Sequence, residues 1–253
     1  MNNIIFLGTA GDLDVVKSGR SSGGVAINVD DHQILIDPGI GTLLVSAQCK
    51  IDVSKTDIML VSSSNIVDSN EINALASLAQ DVKIICQNNG REYCLLEKTK
   101  SRIIHAEKEV YNIRGIEIQR LITKDGNASF KITTPKYVLG YIADTSLLKK
   151  SFQEFKDTNI LVIKCSGEFD KNNIFKLIED IEPELVILTG YGKAIIKEDP
   201  LEFSRILKKS LQENNKDKKD STKIQIIPAK DGMVVNPESY NIRLKQKSLK
   251  GFV

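Results

Sequence analysis

An α/β fold of two sheets packed face to face, with helices on their outer sides, is what this sequence predicts. Three observations lead there. Short apolar runs of strand length end in Gly, Pro, Asp or Asn, longer amphipathic stretches separate them, and both kinds occur in both halves of the chain. At 253 residues, with 41% hydrophobic residues, the chain can bury a layered core without disulfides or a structural metal.

In chain order, Ile4 to Leu7 reads as a strand running into Gly8-Thr9-Ala10-Gly11. This turn has no Gly-x-x-x-x-Gly-Lys-Ser/Thr pattern, and no helical periodicity is visible directly after it, so a phosphate loop is not expected. Val25–Val29 and Gln33–Ile36 flank Asp30-Asp31-His32 as a hairpin, stopped by Asp37-Pro38-Gly39. Thr42–Cys49 suits a short helix and Ile58–Val61 a buried strand. Asp68 and Glu71 have the offset of a capping box opening a helix through Ile72, Leu75, Ala76 and Ala79. Strands follow at Val82–Cys86, Arg102–His105, Ile116–Ile122, Ser129–Thr133 and Tyr137–Tyr141. Next come a helix at Leu147–Phe155, a strand at Ile160–Ile163, a helix at Asn172–Ile181 and a strand at Leu185–Leu188. The pattern closes with a helix at Leu201–Gln212 and strands at Ile224–Ile227 and Met233–Val235. The polar stretch Glu213–Lys223 reads as a solvated loop, not a linker. Residues 1–239 are therefore read as one domain, followed by a basic tail at 240–253 carrying Arg243, Lys245, Lys247 and Lys250.

Composition narrows the function. A net charge of +2 and 6% aromatic residues argue against nucleic acid, and no apolar run approaches the ~20 residues of a membrane span. The four cysteines (Cys49, Cys86, Cys94, Cys165) form no C-x-x-C pair, and Cys86 and Cys165 follow apolar runs as buried small hydrophobes. No charged-then-apolar leader precedes Ile4, so a cytoplasmic location is expected.

Several segments in sequence order resemble the metallo-β-lactamase superfamily, in particular its compact single-domain hydrolases. They are Ile5-Phe6-Leu7-Gly8-Thr9 with Arg20-Ser21-Ser22-Gly23-Gly24, then Ile34-Leu35-Ile36-Asp37-Pro38-Gly39, then Gly140-Tyr141-Ile142-Ala143-Asp144-Thr145. Leu185-Val186-Ile187-Leu188-Thr189-Gly190 and Ala229-Lys230-Asp231-Gly232-Met233 complete the set. The resemblance covers nearly the whole chain and implies a four-layer αβ/βα sandwich. It also implies a metal site of histidines and aspartates, since neutral imidazoles suit zinc or iron and an Asp orients the nucleophilic water.

Against that pattern the chain keeps the frame and loses the ligands. Ser63 and Asn65 stand where the first two histidines of H-x-H-x-D-H belong, Val67 replaces the Asp, and Asp68 stands at the third histidine. Thr123, Glu168 and Gly190 fall where later histidines belong, and only Asp144 matches. The expected vestigial cleft is therefore Asp37, Ser63, Asn65, Asp68, Thr123, Asp144, Glu168 and Gly190. The chain has only two histidines, His32 at a hairpin turn and His105 at a strand end, and surface or capping roles are favoured for both. Helix capping suffices to explain Asp144, and satisfaction of loop backbone groups suffices for Ser62, Ser63 and Ser64.

Zinc lowers the pKa of bound water from 15.7 to about 7, so a chain without it forfeits on the order of 12 kcal/mol in making hydroxide at neutral pH. A serine nucleophile would need a base, and no histidine or well-placed lysine is evident. The leading expectation is a catalytically inactive binding or assembly subunit without a cofactor, working with a protein partner, as a homo-oligomer, or with a small molecule in the cleft. The alternative is a hydrolase of a phosphoester or ester that holds magnesium or manganese through Asp37, Asp68, Asp144 and Glu168.

Overall fold

Alternation within the strands sets the layers. In the first strand, β1 (Asn3–Gly8), Ile4 and Phe6 face one way while Ile5 and Leu7 face the other, and all four are buried. A strand buried on both faces belongs between two other layers. The computed structural model describes residues 2–79, 81–87, 102–104, 109–123, 126–145, 153–166, 171–214 and 224–240.

Following β1 are helix α1 (Leu13–Lys17), strands β2 (Ser22–Val29) and β3 (His32–Ile36), and helix α2 (Thr42–Gln48). Strand β4 (Thr56–Val61), helices α3 (Ile66–Ser69) and α4 (Ile72–Leu78), and strand β5 (Lys83–Cys86) complete the first half. The second half starts with strands β6 (Val110–Ile113), β7 (Ile116–Ile122), β8 (Ala128–Thr133), β9 (Val138–Ile142) and β10 (Ile160–Lys164). Helix α5 (Lys171–Ile181), strand β11 (Leu185–Thr189), helices α6 (Lys193–Glu198) and α7 (Pro200–Asn214), and strands β12 (Gln225–Pro228) and β13 (Met233–Val235) follow.

The strands form a six-stranded sheet, β13-β1-β2-β3-β4-β5, and a seven-stranded sheet, β12-β11-β10-β9-β8-β7-β6. Their inner faces meet in a core that includes Phe6, Ile27, Ile36, Leu60, Phe130, Leu139, Tyr141, Val162 and Ile187. Outside the first sheet, Ile5, Leu35 and Met59 pack on Val45 of α2 and Ile72, Leu75 and Ala76 of α4. Outside the second, Leu161, Ile163 and Val186 pack on Ile174 and Leu177 of α5, Ile195 of α6, and Phe203 and Leu207 of α7. The order helix, sheet, sheet, helix is the four-layer αβ/βα sandwich. Strands β3 and β4 are parallel, as are β9, β10 and β11, so their C-terminal ends can gather at the same edge.

Some elements differ from the sequence expectations. A five-residue helix, α1, does follow the Gly8–Gly11 turn; Asp12 caps it by accepting from the Val15 amide at 2.8 Å. Five residues are too few to show a period. Strand β6 was not expected, because its alternation runs over only four residues and shows a single buried side chain, Tyr111. Helix α6 was also missed. The Arg102–His105 strand reduces to a bridge between Ile103 and Ile84 among the described residues. The Leu147–Phe155 helix falls mostly outside the described residues, of which Gln153–Phe155 form a 3₁₀ turn. His105, Cys94, most of the Glu213–Lys223 loop and the tail from 241 also lie outside them. Cys86 and Cys165 are buried at strand ends, and burial pushes the Cys165 thiol up to about 12. Among the described residues no helix is long and apolar enough to cross a membrane.

Candidate functional site

At the C-terminal ends of β3, β4, β9, β10 and β11 the two sheets present a polar cluster sealed inside the molecule. Asp37 leaves β3 with φ +51, a conformation costly for a non-glycine residue, and its carboxylate collects three good donors. The Ser62 amide donates to Oδ1 at 2.7 Å, the Ser62 hydroxyl to Oδ2 at 2.7 Å, and the Tyr141 hydroxyl to Oδ2 at 2.6 Å. The turn is held tightly: a Cβ on Gly39 would fall 1.8 Å from the Val67 carbonyl oxygen, so the Asp-Pro-Gly loop must end in glycine to pass α3.

Asp68 lies within α3 and points into the same hollow. Its Oδ2 accepts from the Ser63 hydroxyl at 2.6 Å, and that hydroxyl oxygen accepts from the Asn65 amide at 3.1 Å. Between the two carboxylates stands the ammonium of Lys164, the last residue of β10. Its Nζ is 2.5 Å from Asp68 Oδ1 and 3.4 Å from Asp37 Oδ2. Only 7% of Lys164 is exposed. The remaining cavity, lined also by Gly8, Gly24 and Thr189, measures about 10 Å³, room for at most one water.

The electrostatics follow from one cation placed between two buried carboxylates. Burial alone would depress the Lys164 ammonium, but Asp68 and Asp37 beside it outweigh that and hold its pKa above the ordinary lysine value. Lys164 is therefore a fixed positive charge, not a base. For Asp37, burial pushes the carboxyl up; Lys164 offsets part of this, Asp68 adds to it, and the Tyr141 and Ser62 hydrogen bonds offset more. Lys164 sits closer to Asp68, which leaves Asp37 the less compensated anion.

Gly190, directly after β11, makes room for this lysine. It has φ +57, and a Cβ there would stand 2.9 Å from Lys164 Cγ and 3.2 Å from Lys164 Cβ. Those atoms are the root of the lysine side chain, so a side chain at 190 would force the stem off its present course.

Of the residues expected to line the cleft, Asp37, Asp68 and Gly190 do so, and Ser63 reaches it through Asp68. Asn65 is exposed, with its amide turned toward Ser63. Thr123 is buried in the β7–β8 turn, its hydroxyl accepting from the Asn127 amide at 3.1 Å. Asp144 is half-buried just after β9 and does not line the hollow. Glu168 lies outside the described residues, as does the helix Asp144 was expected to cap.

Three expectations need correction. Asp68 and Glu71 do not form a capping box: Asp68 binds Ser63 and Lys164, while Glu71 accepts from the amides of Gly41 and Leu43, each at 2.7 Å, at the start of α2. The Ser62 hydroxyl serves Asp37, and the Ser63 hydroxyl donates to Asp68 while also accepting from the Asn65 amide, so only Ser63 satisfies a loop backbone group as expected. A lysine does stand in the site, as a fixed cation and not as the base a serine nucleophile would need. Its signal was in the sequence, because Ile160, Val162 and Lys164 share the parity that faces the other sheet. His32, for its part, opens β3, with Nδ1 3.3 Å from Asp57 Oδ2.

The residues present do not fit the metal of this site plan. An ammonium occupies the space between the carboxylates, a side chain at 190 would crowd the stem that carries it, and the hydroxyls already donate to Asp37 and Asp68. Among the described residues no group of three His, Cys, Asp or Glu side chains converges to hold an ion.

No family model matches the sequence, and no curated protein matches it. Solved structures do. The metallo-β-lactamase fold protein YhfI from Bacillus subtilis superposes with a TM-score of 0.71 at 15% identity, covering 92% of this chain and 98% of its own. This chain has the metallo-β-lactamase fold. A diphosphatase of the PhnP family follows with a TM-score of 0.63 and 15% identity over 93% of this chain and 97% of its own. The short form of human tRNase Z gives 0.65 and 10% identity over 92% and 98%. At such identities the likeness establishes the architecture, and the chemistry has to be argued from this chain's own side chains.

Proposed function

We propose that this metallo-β-lactamase-fold chain is catalytically inactive and serves as a binding or assembly subunit, with a protein partner or a second copy of itself as what it holds. One observation carries this reading: Lys164 stands between Asp37 and Asp68, in the hollow that Gly190 leaves open. An ammonium has no vacant coordination position, so it cannot bind a water and lower its pKa as a divalent ion does. Nor does the cluster supply an activated nucleophile. The Ser62 and Ser63 hydroxyls donate to carboxylates that Lys164 neutralises, and Lys164 is itself held protonated, so it is no base for a serine proton. The small remaining volume leaves no space for a substrate at this point.

The test is metal content and turnover of protein purified without chelator, assayed on bis(p-nitrophenyl) phosphate and p-nitrophenyl acetate. The expected result is far less than one transition metal per chain and no chelator-sensitive turnover of either substrate. A stoichiometric metal with turnover lost on Asp144→Ala would instead support a hydrolase with oxygen ligands. Light scattering over a concentration series addresses the second-copy arm.

A further inference from the structure

The cluster is more than a site that has lost its ligands. We propose that Lys164 is a built-in replacement for a cation, that Gly190 is the change that admits it, and that shortening Lys164 opens a latent site for a small hard cation between Asp37 and Asp68. The inference rests on geometry and holds whether or not the chain proves to be an enzyme.

Charge is the first part. Two carboxylates buried within reach of one ammonium need positive charge to be tolerated in a low-dielectric interior. Both carboxylates are also oriented by fixed donors: Ser62 and Tyr141 for Asp37, Ser63 for Asp68. Such a constellation is built to hold an anion pair in place, and Lys164 is the cation among its described contacts. Space is the second part. The lysine stem runs against the backbone at 190, where even a methyl group would come within 2.9 Å of Cγ. Where the fold's ligand pattern calls for a bulky imidazole at Gly190, this chain has no side chain. A side chain at 190 and the lysine stem on its present course therefore compete for one space, and the two residues act as one coupled replacement. Chemistry is the third part. Removing the lysine beyond Cβ would leave two convergent carboxylates with hydroxyl neighbours, an all-oxygen set of the kind magnesium and manganese accept.

The experiment uses the full chain. Urea unfolding of Lys164→Met, Asp68→Asn and the double variant forms a double-mutant cycle. The expected coupling is on the order of 10- to 100-fold in the unfolding equilibrium constant, because Lys164→Met strands two carboxylates, Asp68→Asn leaves Lys164 paired with Asp37, and the double variant strands Asp37 alone. Additive effects would overturn the proposal. If Lys164→Met does not fold alone, a double variant that folds supports the proposal and one that does not fold counts against it. In parallel, Lys164→Ala is titrated with magnesium or manganese chloride. A saturable rise in its unfolding midpoint, absent from wild type and from Lys164→Met, is expected. A midpoint that ignores the cations, or a wild type that responds equally, would overturn the latent site. An active hydrolase that still shows the coupling would refute the proposed function and leave this inference standing.

Discussion

The two ends of the sandwich each carry an aspartate–cation pair, and they are held in opposite ways. At the strands' C-terminal end, Lys164 and Asp68 have side chains 7% and 8% exposed, locked further by Ser63 and Asp37. At the other end, Arg114 pairs with Asp57 across the two sheets, but the Arg114 side chain is 53% exposed. Arg114 and Gly115, both with positive φ, form the two-residue hairpin turn between β6 and β7, and the guanidinium leans over an open hollow lined by Lys55, Asp57 and Asp81. Formally the chemistry is the same. Exposure of the cation makes the difference: Asp57 is itself buried, but the Gln33 amide also donates to it and the open hollow lets water take the place of Arg114, whereas the space beside Lys164 has room for at most one water. A pair whose cation is buried is therefore a structural commitment, while one whose cation is exposed is close to optional.

The sharpest way to break this comparison is to remove each cation. Lys164→Ala should cost about 3–5 kcal/mol in urea unfolding, because two carboxylates lose their counter-charge in a buried site. Arg114→Ala should cost less than about 1 kcal/mol. Equal losses would show that exposure does not govern these pairs. The next largest effect belongs to Gly190→Ala, expected to destabilise by about 1–3 kcal/mol through its positive φ and the clash with the lysine stem. The double variant Gly190→Ala with Lys164→Ala should lose less than the sum, since the clash is gone.

pH sharpens the contrast. The folded-state pKa of Lys164 is raised above the ordinary value of 10.5, so its stabilising contribution is complete below that value and is lost as pH rises through the higher folded pKa. The stability gap between wild type and Lys164→Met should therefore hold steady from neutral pH to about pH 10 and narrow above 10.5. The gap between wild type and Arg114→Ala should show no such narrowing. The smallest effect is ionic. At about 1 M salt, where the screening length falls to roughly 3 Å, the cost of Arg114→Ala should shrink toward zero while that of Lys164→Ala remains. Denaturation midpoints measured at low and high salt decide it.

Much of the fold could be read from local pattern. The strands from Ile4 to Leu188 announced themselves as apolar runs stopped by Gly, Asp or Pro, and α5 and α7 by their periodicity, because a buried face imposes its period on the residues that fill it. Short or exposed elements carried no such constraint, which is why α1, α6 and β6 went unseen. The sequence also revealed which ligand positions had changed, residue by residue, from Ser63 to Gly190. It could not reveal what the change built. Asp68 and Glu71, spaced as a capping box, divide between two different tasks because α3 and α2 approach from separate parts of the chain.

Composition and periodicity alone determined that this chain makes two sheets with helices outside, and that its histidines are too few for the metal site its segments resemble. Tertiary structure alone decided that Lys164, 96 positions from Asp68 and 127 from Asp37, would meet both carboxylates in one buried pocket. The physical reason is range. Secondary structure is set by neighbours within a few residues, whereas the energy of a buried charge depends on whatever the fold brings within a few ångströms of it.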